Sequence, residues 1–346
     1  MAIDTNALVL AKAINKKLKT DAVVVASSIE HSLTPRVPTG SVSLDYALGG
    51  GWPGNQWVEL IGEASSGKTF LALKTIAANQ AKNPDHTTVW VAAEQWVPQY
   101  AQMVGVNLDQ VLVIETNVME EAYQAVIQFA ESQTVDAIVI DSLPALVPAL
   151  EDEKEAGEST VGKGALLTNQ FFRKVGKAMK RSLVEEQRPV LGLMINQYRL
   201  QIGVMHGDPR TTPGGKGKDF AFFVRCEVKR GDWLVHGTGD KATRVGQTVK
   251  VRTIKNKTAP PQQVANIDMY FDDRPPLFKA GDTDFAKEIV ALAILNDILT
   301  RSGAWYYYQD RKWQGADSVL DSVREEPDLA DQLTAEVMEV VTRAAK

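Results

Sequence analysis

The sequence predicts an α/β fold in which a mostly parallel central sheet is covered by helices on both faces. Three observations carry that prediction. Short apolar runs alternate with helix-length segments from Gly40 onward, a glycine-rich loop joins the first such run to the first long helix, and a later run ends in an aspartate. Parallel strands buried on both faces read as continuous apolar stretches, and these do.

The strand expectations are Val58–Ile61, Thr87–Ala93, Val111–Glu115, Ala137–Asp141 and Val190–Asn196, with helices over Thr69–Ala81, Glu120–Ser132 and Gly164–Glu185. Further on, Gln247–Ile254 alternates Val249, Val251 and Thr253, which predicts a half-exposed strand extending one edge of the sheet. Ahead of the sheet, Thr5–Lys19 reads as a basic amphipathic helix with Leu8, Ala11, Ile14 and Leu18 at helical spacing. A lone terminal helix has little core, so it should dock on its own body or on a neighbouring copy. Asp21 to Pro38 reads as a linker. Beyond Pro275-Pro276 the composition shifts. Gly303-Ala-Trp-Tyr-Tyr-Tyr308 predicts a small aromatic β element, and Leu329, Leu333, Val337 and Val340 mark a last helix after Pro327. The expected organisation is residues 1–36 as helix and linker, 37–272 as the core, and 273–346 as a small acidic α+β domain.

The 346 residues suffice for one large domain and a smaller one, and 44% hydrophobic with 23% charged residues is ordinary for a globular chain. No run approaches the ~20 apolar residues of a membrane span, and Met1-Ala-Ile-Asp-Thr does not resemble a secretory signal, so the expected setting is cytosolic. Cys226 has no partner for a disulfide, and four scattered histidines (His31, His86, His206, His236) make a zinc site improbable. Net charge is −5, but it is unevenly spread. Gly281 to Lys346 holds seven basic and thirteen acidic residues, Arg199 to Arg230 seven basic and three acidic, and Lys241 to Lys257 six basic and no acidic ones. That distribution suits a polyanion partner as readily as it suits plain solvated faces.

Gly62-Glu63-Ala64-Ser65-Ser66-Gly67-Lys68-Thr69 is a complete phosphate-binding loop in strand–loop–helix context. Its glycines let successive N–H groups face phosphate oxygens, and the helix start adds its positive dipole end. Lys68 can reach the β- and γ-phosphates, and the Thr69 hydroxyl can meet Mg²⁺. Asp141 closes an apolar strand where a Mg²⁺-side carboxylate is expected. Glu94 follows the intervening strand and could align or deprotonate a water at the γ-phosphate; its bland alternative is a helix-start residue.

Longer stretches make a resemblance specific. Val37-Pro-Thr-Gly-Ser-Val-Ser-Leu-Asp-Tyr-Ala-Leu-Gly49, the phosphate loop, Met194-Ile-Asn-Gln-Tyr-Arg-Leu-Gln-Ile-Gly-Val-Met-His-Gly-Asp-Pro-Arg-Thr-Thr-Pro-Gly-Gly215, Lys255-Asn-Lys257-Thr-Ala-Pro260 and Gly303-Ala-Trp-Tyr306 are collinear with the RecA family of bacterial and bacteriophage homologous-recombination proteins. The chain resembles that family over nearly its whole length. The resemblance implies a RecA-type P-loop ATPase core, ATP and Mg²⁺ as cofactors, filament formation on single-stranded DNA, then pairing with homologous duplex DNA in recombination, repair and the SOS response. It further implies repressor and loading proteins as partners.

By the same resemblance, Lys68, Thr69 and Asp141 bind phosphates and Mg²⁺, Glu94 is the catalytic carboxylate, and Tyr100 stacks on adenine. The stretch after Glu94 is one residue shorter than in the family, and the family's base-contacting aspartate has no clear counterpart. Gln197 corresponds to the γ-phosphate sensor, and Lys255 and Lys257 to lysines that reach a neighbour's γ-phosphate. DNA would lie against loops near 151–162 and 198–212, through Val161, Asn169, Arg173, Arg199, Ile202, Gly214, Gly215 and Lys216. Leu166 stands where the family has arginine, Asn169 where it has serine, Lys216 where it has asparagine, and His206 where it usually has phenylalanine. Family members often carry a long acidic tail, and the end at Ala-Ala-Lys346 leads to an expectation of weaker autoinhibition of duplex binding. Two rival readings share the core: a hexameric helicase, and a DNA-coating filament protein with nucleotide as a structural switch only. The basic first helix and the Lys255/Lys257 pair favour an open helical assembly over a ring, and the intact Lys68, Thr69, Glu94 and Asp141 favour hydrolysis.

Overall fold

A computed structural model describes residues 3–152, 162–200 and 209–344. Among these, eight strands build the central sheet: β1 (Trp57–Ile61), β2 (Thr88–Ala92), β3 (Val111–Ile114), β4 (Ala137–Asp141), β5 (Leu191–Asn196), β6 (Val224–His236), β7 (Thr243–Asn256) and β8 (Val264–Tyr270). Their spatial order is β8-β7-β6-β1-β5-β4-β2-β3. From β6 through β3 every pair is parallel, whereas β6–β7 and β7–β8 are antiparallel. The first five strands lie within one residue of their expected bounds.

Side chains alternate between two cores. Val58, Leu60, Trp90, Val139 and Leu193 face the helix Lys68–Lys82, while Val89, Val91, Ile138, Ile140 and Met194 face the helices Met119–Ser132 and Lys163–Ala178. Period-two alternation on a doubly covered sheet produces this division. Trp57 meets Phe171 edge-on at 5.4 Å, and a Cβ on Gly192 of the next strand would stand 2.5 Å from its ring, so glycine there is a packing requirement.

Two expectations need correction. The helix expected over Gly164–Glu185 ends at Ala178. Arg181 Nη1 donates to the Ala178 carbonyl at 3.1 Å, and Ser182 Oγ accepts from the amides of Val184 and Glu185, which turns the backbone out of the helix. No strand was expected at Val224–His236, yet it is the long partner of β7. Its buried residues Val224, Cys226 and Val228 alternate with charged ones, and the charge masked the alternation. Gln247–Ile254 is half-exposed and belongs to the antiparallel group that extends one edge of the parallel sheet, as expected, with Val264–Tyr270 outermost. Cys226 is fully buried, and that burial pushes its thiol pKa up.

The first helix, Thr5–Leu18, has no buried residue, and Leu8, Val9, Leu10 and Leu18 are all exposed. Ala11 and Ile14 are part-buried, so no residue of the expected stripe reaches a core of its own body. At the other end, the helix Phe285–Leu295, a three-stranded sheet over Thr300–Ser302, Trp305–Tyr308 and Arg311–Gln314, and the helices Ala316–Glu325 and Pro327–Ala344 share a third core. Val42 and Tyr46 of the helix Val42–Leu48 join it, which seats the C-terminal part on the core.

That seam contains a buried acid. Glu288 Oε2 accepts from Ser41 Oγ at 2.6 Å and from the Ser43 amide at 2.9 Å, while Oε1 is buried without a partner among the described residues. Burial is the main cause that pushes Glu288 up to about 7, with Asp45 adding to it against the serine hydrogen bonds. A carboxyl raised in the fold contributes stability at low pH and loses it as pH climbs from the ordinary 4.5 through about 7. Glu288→Gln is therefore expected to raise the thermal midpoint relative to the unaltered chain at pH 8 but hardly at pH 5. Melting curves at the two pH values check this, and an equal shift at both would refute the buried-acid account.

Candidate nucleotide and DNA site

Parallel strands bring their carboxyl ends to one edge, and the expected catalytic residues follow from that geometry. The phosphate loop leaves β1 at Gly62, Glu94 follows β2, Asp141 ends β4, and Gln197 follows β5. Thr69 Oγ1 donates to Asp141 Oδ2 at 3.0 Å, and Ser142 Oγ donates to Glu94 Oε1 at 2.5 Å. The amides of Ala93 and Glu94 both donate to the Asp141 carbonyl. Asp141 and Ser142 thus tie the loop, the helix start and Glu94 into one unit. Ser142 is absent from the expected residues, although it directly follows Asp141.

Within the loop, Ser65 and Gly67 hold positive φ, and Lys68 Nζ donates to the carbonyls of Gly62 at 3.1 Å and Glu63 at 2.7 Å. Ser66 Oγ is buried with no partner among the described residues, so it offers a hydroxyl to a bound oxyanion. Burial lowers the Lys68 ammonium pKa, against the pull of Asp141, Glu94 and Glu63. Burial also pushes Asp141 up to about 6, with Thr69 opposing and Glu94 adding. Both charges are under-compensated in the bare fold, and a divalent cation beside a polyphosphate would relieve both. The donors are hard oxygens from one hydroxyl and one carboxylate, which suits Mg²⁺ completed by phosphate and water oxygens. Among the described residues no three His, Cys, Asp or Glu side chains converge as a metal site.

Beside the loop is a cavity of about 340 Å³ lined by Ser65 to Phe70, Tyr100, Trp233, Gln247, Met269 and Phe271. Tyr100, expected to stack on a base, lines this cavity beside the phosphate loop. Sequence reasoning leaves out Trp233, Gln247, Met269 and Phe271, because they reach the loop only through the fold-back of β6 to β8. Gln247 Nε2 donates to the Ser65 carbonyl at 3.3 Å, and Trp233 meets Phe271 edge-on.

The second loop begins and ends on buried acids. Glu59, fully buried on β1, accepts from Asn196 Nδ2 at 2.7 Å and Arg225 Nε at 2.6 Å, and pairs with Lys218 Nζ at 3.1 Å. Asn196 also holds the Pro213 carbonyl and the Gln197 amide. The loop's arms pair as Arg199 with Thr211 and Leu200 with Arg210. A cavity of about 330 Å³ lies between these arms and the start of the helix Lys163–Ala178, lined by Arg199, Thr211, Gly214, Ala165 and Glu151 among others. Of the expected DNA residues, Arg199 and Gly214 line it. Gly214 and Gly215 hold positive φ, and a Cβ on Gly217 would overlap Asn169 Oδ1, so Asn169 packs on that turn. Arg173 and Lys216 are exposed, as is Leu166. Val161, Ile202 and His206 lie outside the described residues.

One expectation is modified. The basic stretch Arg199 to Arg230 is not wholly a surface: Lys218 is buried and paired, and Arg225 is spent on Glu59. Lys255 donates to the carbonyls of Asp219 at 2.5 Å and Phe220 at 3.4 Å, and Lys257 to that of Phe220 at 3.5 Å. Neither lysine lines the cavities at its own phosphate loop.

Comparison with known proteins agrees with this architecture. The RecA N-terminal domain matches residues 6–274 and the RecA C-terminal domain residues 287–342. Protein RecA of Thermus thermophilus is 36% identical over 331 residues, covering 95% of this chain and 92% of that one. Protein RecA of Lactococcus lactis subsp. cremoris (strain MG1363) is 36% identical over 304 residues, covering 87% and 74%, and that of Lactobacillus delbrueckii subsp. bulgaricus is 34% identical over 329 residues, covering 94% and 93%. A recombinase class of P-loop ATPase is therefore defined by fold and kinship together. The chain belongs to the RecA family. It is a RecA-like recombinase and DNA-dependent ATPase of recombination and repair. No helix among the described residues is long and apolar enough to cross a membrane.

The approach of β6 to the loop supplies a test. A Cβ on Gly62 would stand 2.1 Å from the Val228 carbonyl oxygen and 2.7 Å from Ser66 Oγ. Gly62→Ala should cost roughly 1–3 kcal/mol in urea unfolding, the usual range for overpacking, and weaken nucleotide binding with it. Unchanged unfolding would show that the strand yields.

Proposed function

We propose that this chain polymerises through its first helix on single-stranded DNA with ATP and Mg²⁺ bound between protomers, and then pairs the strand with homologous duplex. The observation that carries the reading is the bonded unit Thr69–Asp141 and Ser142–Glu94, which supports reading the first pair as cation-binding and Glu94 as a general base. Lys68, the loop amides and the Ser66 hydroxyl hold the phosphates. Thr69 and Asp141 would hold Mg²⁺, which when bound would neutralise charge on the phosphate oxygens. Glu94, kept in place by Ser142, orients the attacking water and takes its proton. Tyr100 stacks on the base, and Gln197, at the root of the second loop, senses the γ-phosphate. Lys255 and Lys257 act on a neighbour's site, a reading supported by their absence from the cavities at their own phosphate loop and by the exposed face of the first helix.

DNA contact falls to Arg173, Arg199, Lys216 and the glycine turn Gly214-Gly215, with Asn169 fixing that turn and Val161 and Ile202 wedging between bases. Backbone and stacking contacts of this kind tolerate any sequence.

In steady-state assays, ATP turnover is expected to rise on adding single-stranded DNA. Glu94→Gln should lower turnover by roughly 10²–10⁴-fold while ATP still binds. No stimulation by DNA would sink the reading, and an unaffected Glu94→Gln variant would remove Glu94 from the chemistry. Filter binding should also find the strand held more tightly with a slowly hydrolysed ATP analogue than with ADP. Equal grip in both would break the link between nucleotide and the second loop.

A further inference from the structure

Glu227 lies on β6 beside Ile61 of β1, next to the Val228 carbonyl that crowds Gly62. Its side chain is only 2% exposed, yet it collects groups from three segments. Oε1 accepts from Tyr198 Oη at 3.2 Å and Arg210 Nη1 at 2.9 Å, one from each arm of the second loop. Oε2 accepts from Arg252 Nη2 of β7 at 2.7 Å and lies 3.2 Å from Lys229 Nζ. Arg210 also lies 4.6 Å over the Tyr198 ring. A single negative charge therefore serves three cations.

The cations are not buried with it. The Arg252 and Lys229 side chains are 42% and 54% exposed, so each turns one part toward Glu227 and another toward solvent. Burial disfavours the Glu227 anion, but its bonds to Lys229 and Arg252 outweigh that and hold its pKa below the usual glutamate value. A guanidinium or ammonium treats carboxylate and phosphate as alternative anionic acceptors.

We propose that Glu227 is a charge clasp that withholds Lys229 and Arg252 from DNA phosphates, so that it sets how many ion pairs the protein makes with a bound strand. The clasp rests on the reading that the second loop and the adjoining hairpin face DNA. Glu227 is a positioning residue here, since it acts through the two cations and through the loop arms that it also holds.

Salt dependence counts such contacts directly, because each phosphate neutralised on a single strand adds ~0.7 to the slope of log affinity against log salt. The experiment is fluorescence anisotropy of a labelled oligothymidylate with the full chain and ATP, over a range of salt concentrations. Glu227→Gln keeps shape and acceptor but removes the charge. It is expected to steepen the slope by ~0.7 for each cation released and to tighten binding several-fold at low salt. A slope that is unmoved or shallower overturns the clasp. A second variant does not depend on how Glu227→Gln folds: Arg252→Gln in the otherwise unaltered chain should shallow the slope by less than half of ~0.7, whereas loss of the full increment shows that Arg252 was already committed to DNA. Absence of salt-dependent binding by the unaltered chain removes the DNA reading and the clasp with it. Binding with an unmoved slope removes the clasp alone.

Discussion

A carboxylate with no access to water, Glu59, governs the face of the sheet on which the chemistry sits. It lies three residues ahead of the phosphate loop and draws Asn196, Lys218 and Arg225 onto itself from three other parts of the chain. A buried charge is tolerated only when its partners are complete, and removing one partner typically costs ~3–5 kcal/mol. The arrangement therefore fixes where the second loop leaves β5 and where it returns. The glycine turn and Asn169 then take their places relative to that return.

Above Glu59 the same strategy recurs with less burial. Asp141 answers to Thr69, Glu94 to Ser142, and Glu227 to the loop arms and the hairpin. Each acid belongs to or follows a different strand, and the parallel order carries them to one edge. The sheet is thus a ruler for carboxylates. Its spacing between neighbouring strands, about 4.8 Å, sets the grain on which nucleotide and DNA contacts are laid out.

Much of this was legible from residues alone, for identifiable reasons. The five parallel strands announce themselves as continuous apolar runs, and Gly62 to Thr69 is a contiguous motif, so neither needs tertiary knowledge. Asp141 and Glu94 follow from strand ends. Trp233, Gln247 and Phe271 do not, since they reach the phosphate loop from some 165 or more positions further along the chain. Glu59 was hidden inside a strand pattern, and Val224–His236 was obscured because Arg225, Glu227 and Lys229 looked like surface charge. Residue counts cannot separate a cation facing water from one neutralised by a buried acid, and Lys218 illustrates the difference. The helix expected to reach Glu185 stopped early because Arg181 and Ser182 compete for its last backbone groups.

The first helix keeps its leucines and valine in water, although every other long helix finds a core. On the reading proposed above a neighbouring copy covers that face, and a free protomer carries a standing deficit. Its cohesion must then rise with its own concentration and with any DNA that aligns copies in a row, a thermodynamic coupling that a self-contained protein lacks. Dilution alone should loosen such an array from its ends inward.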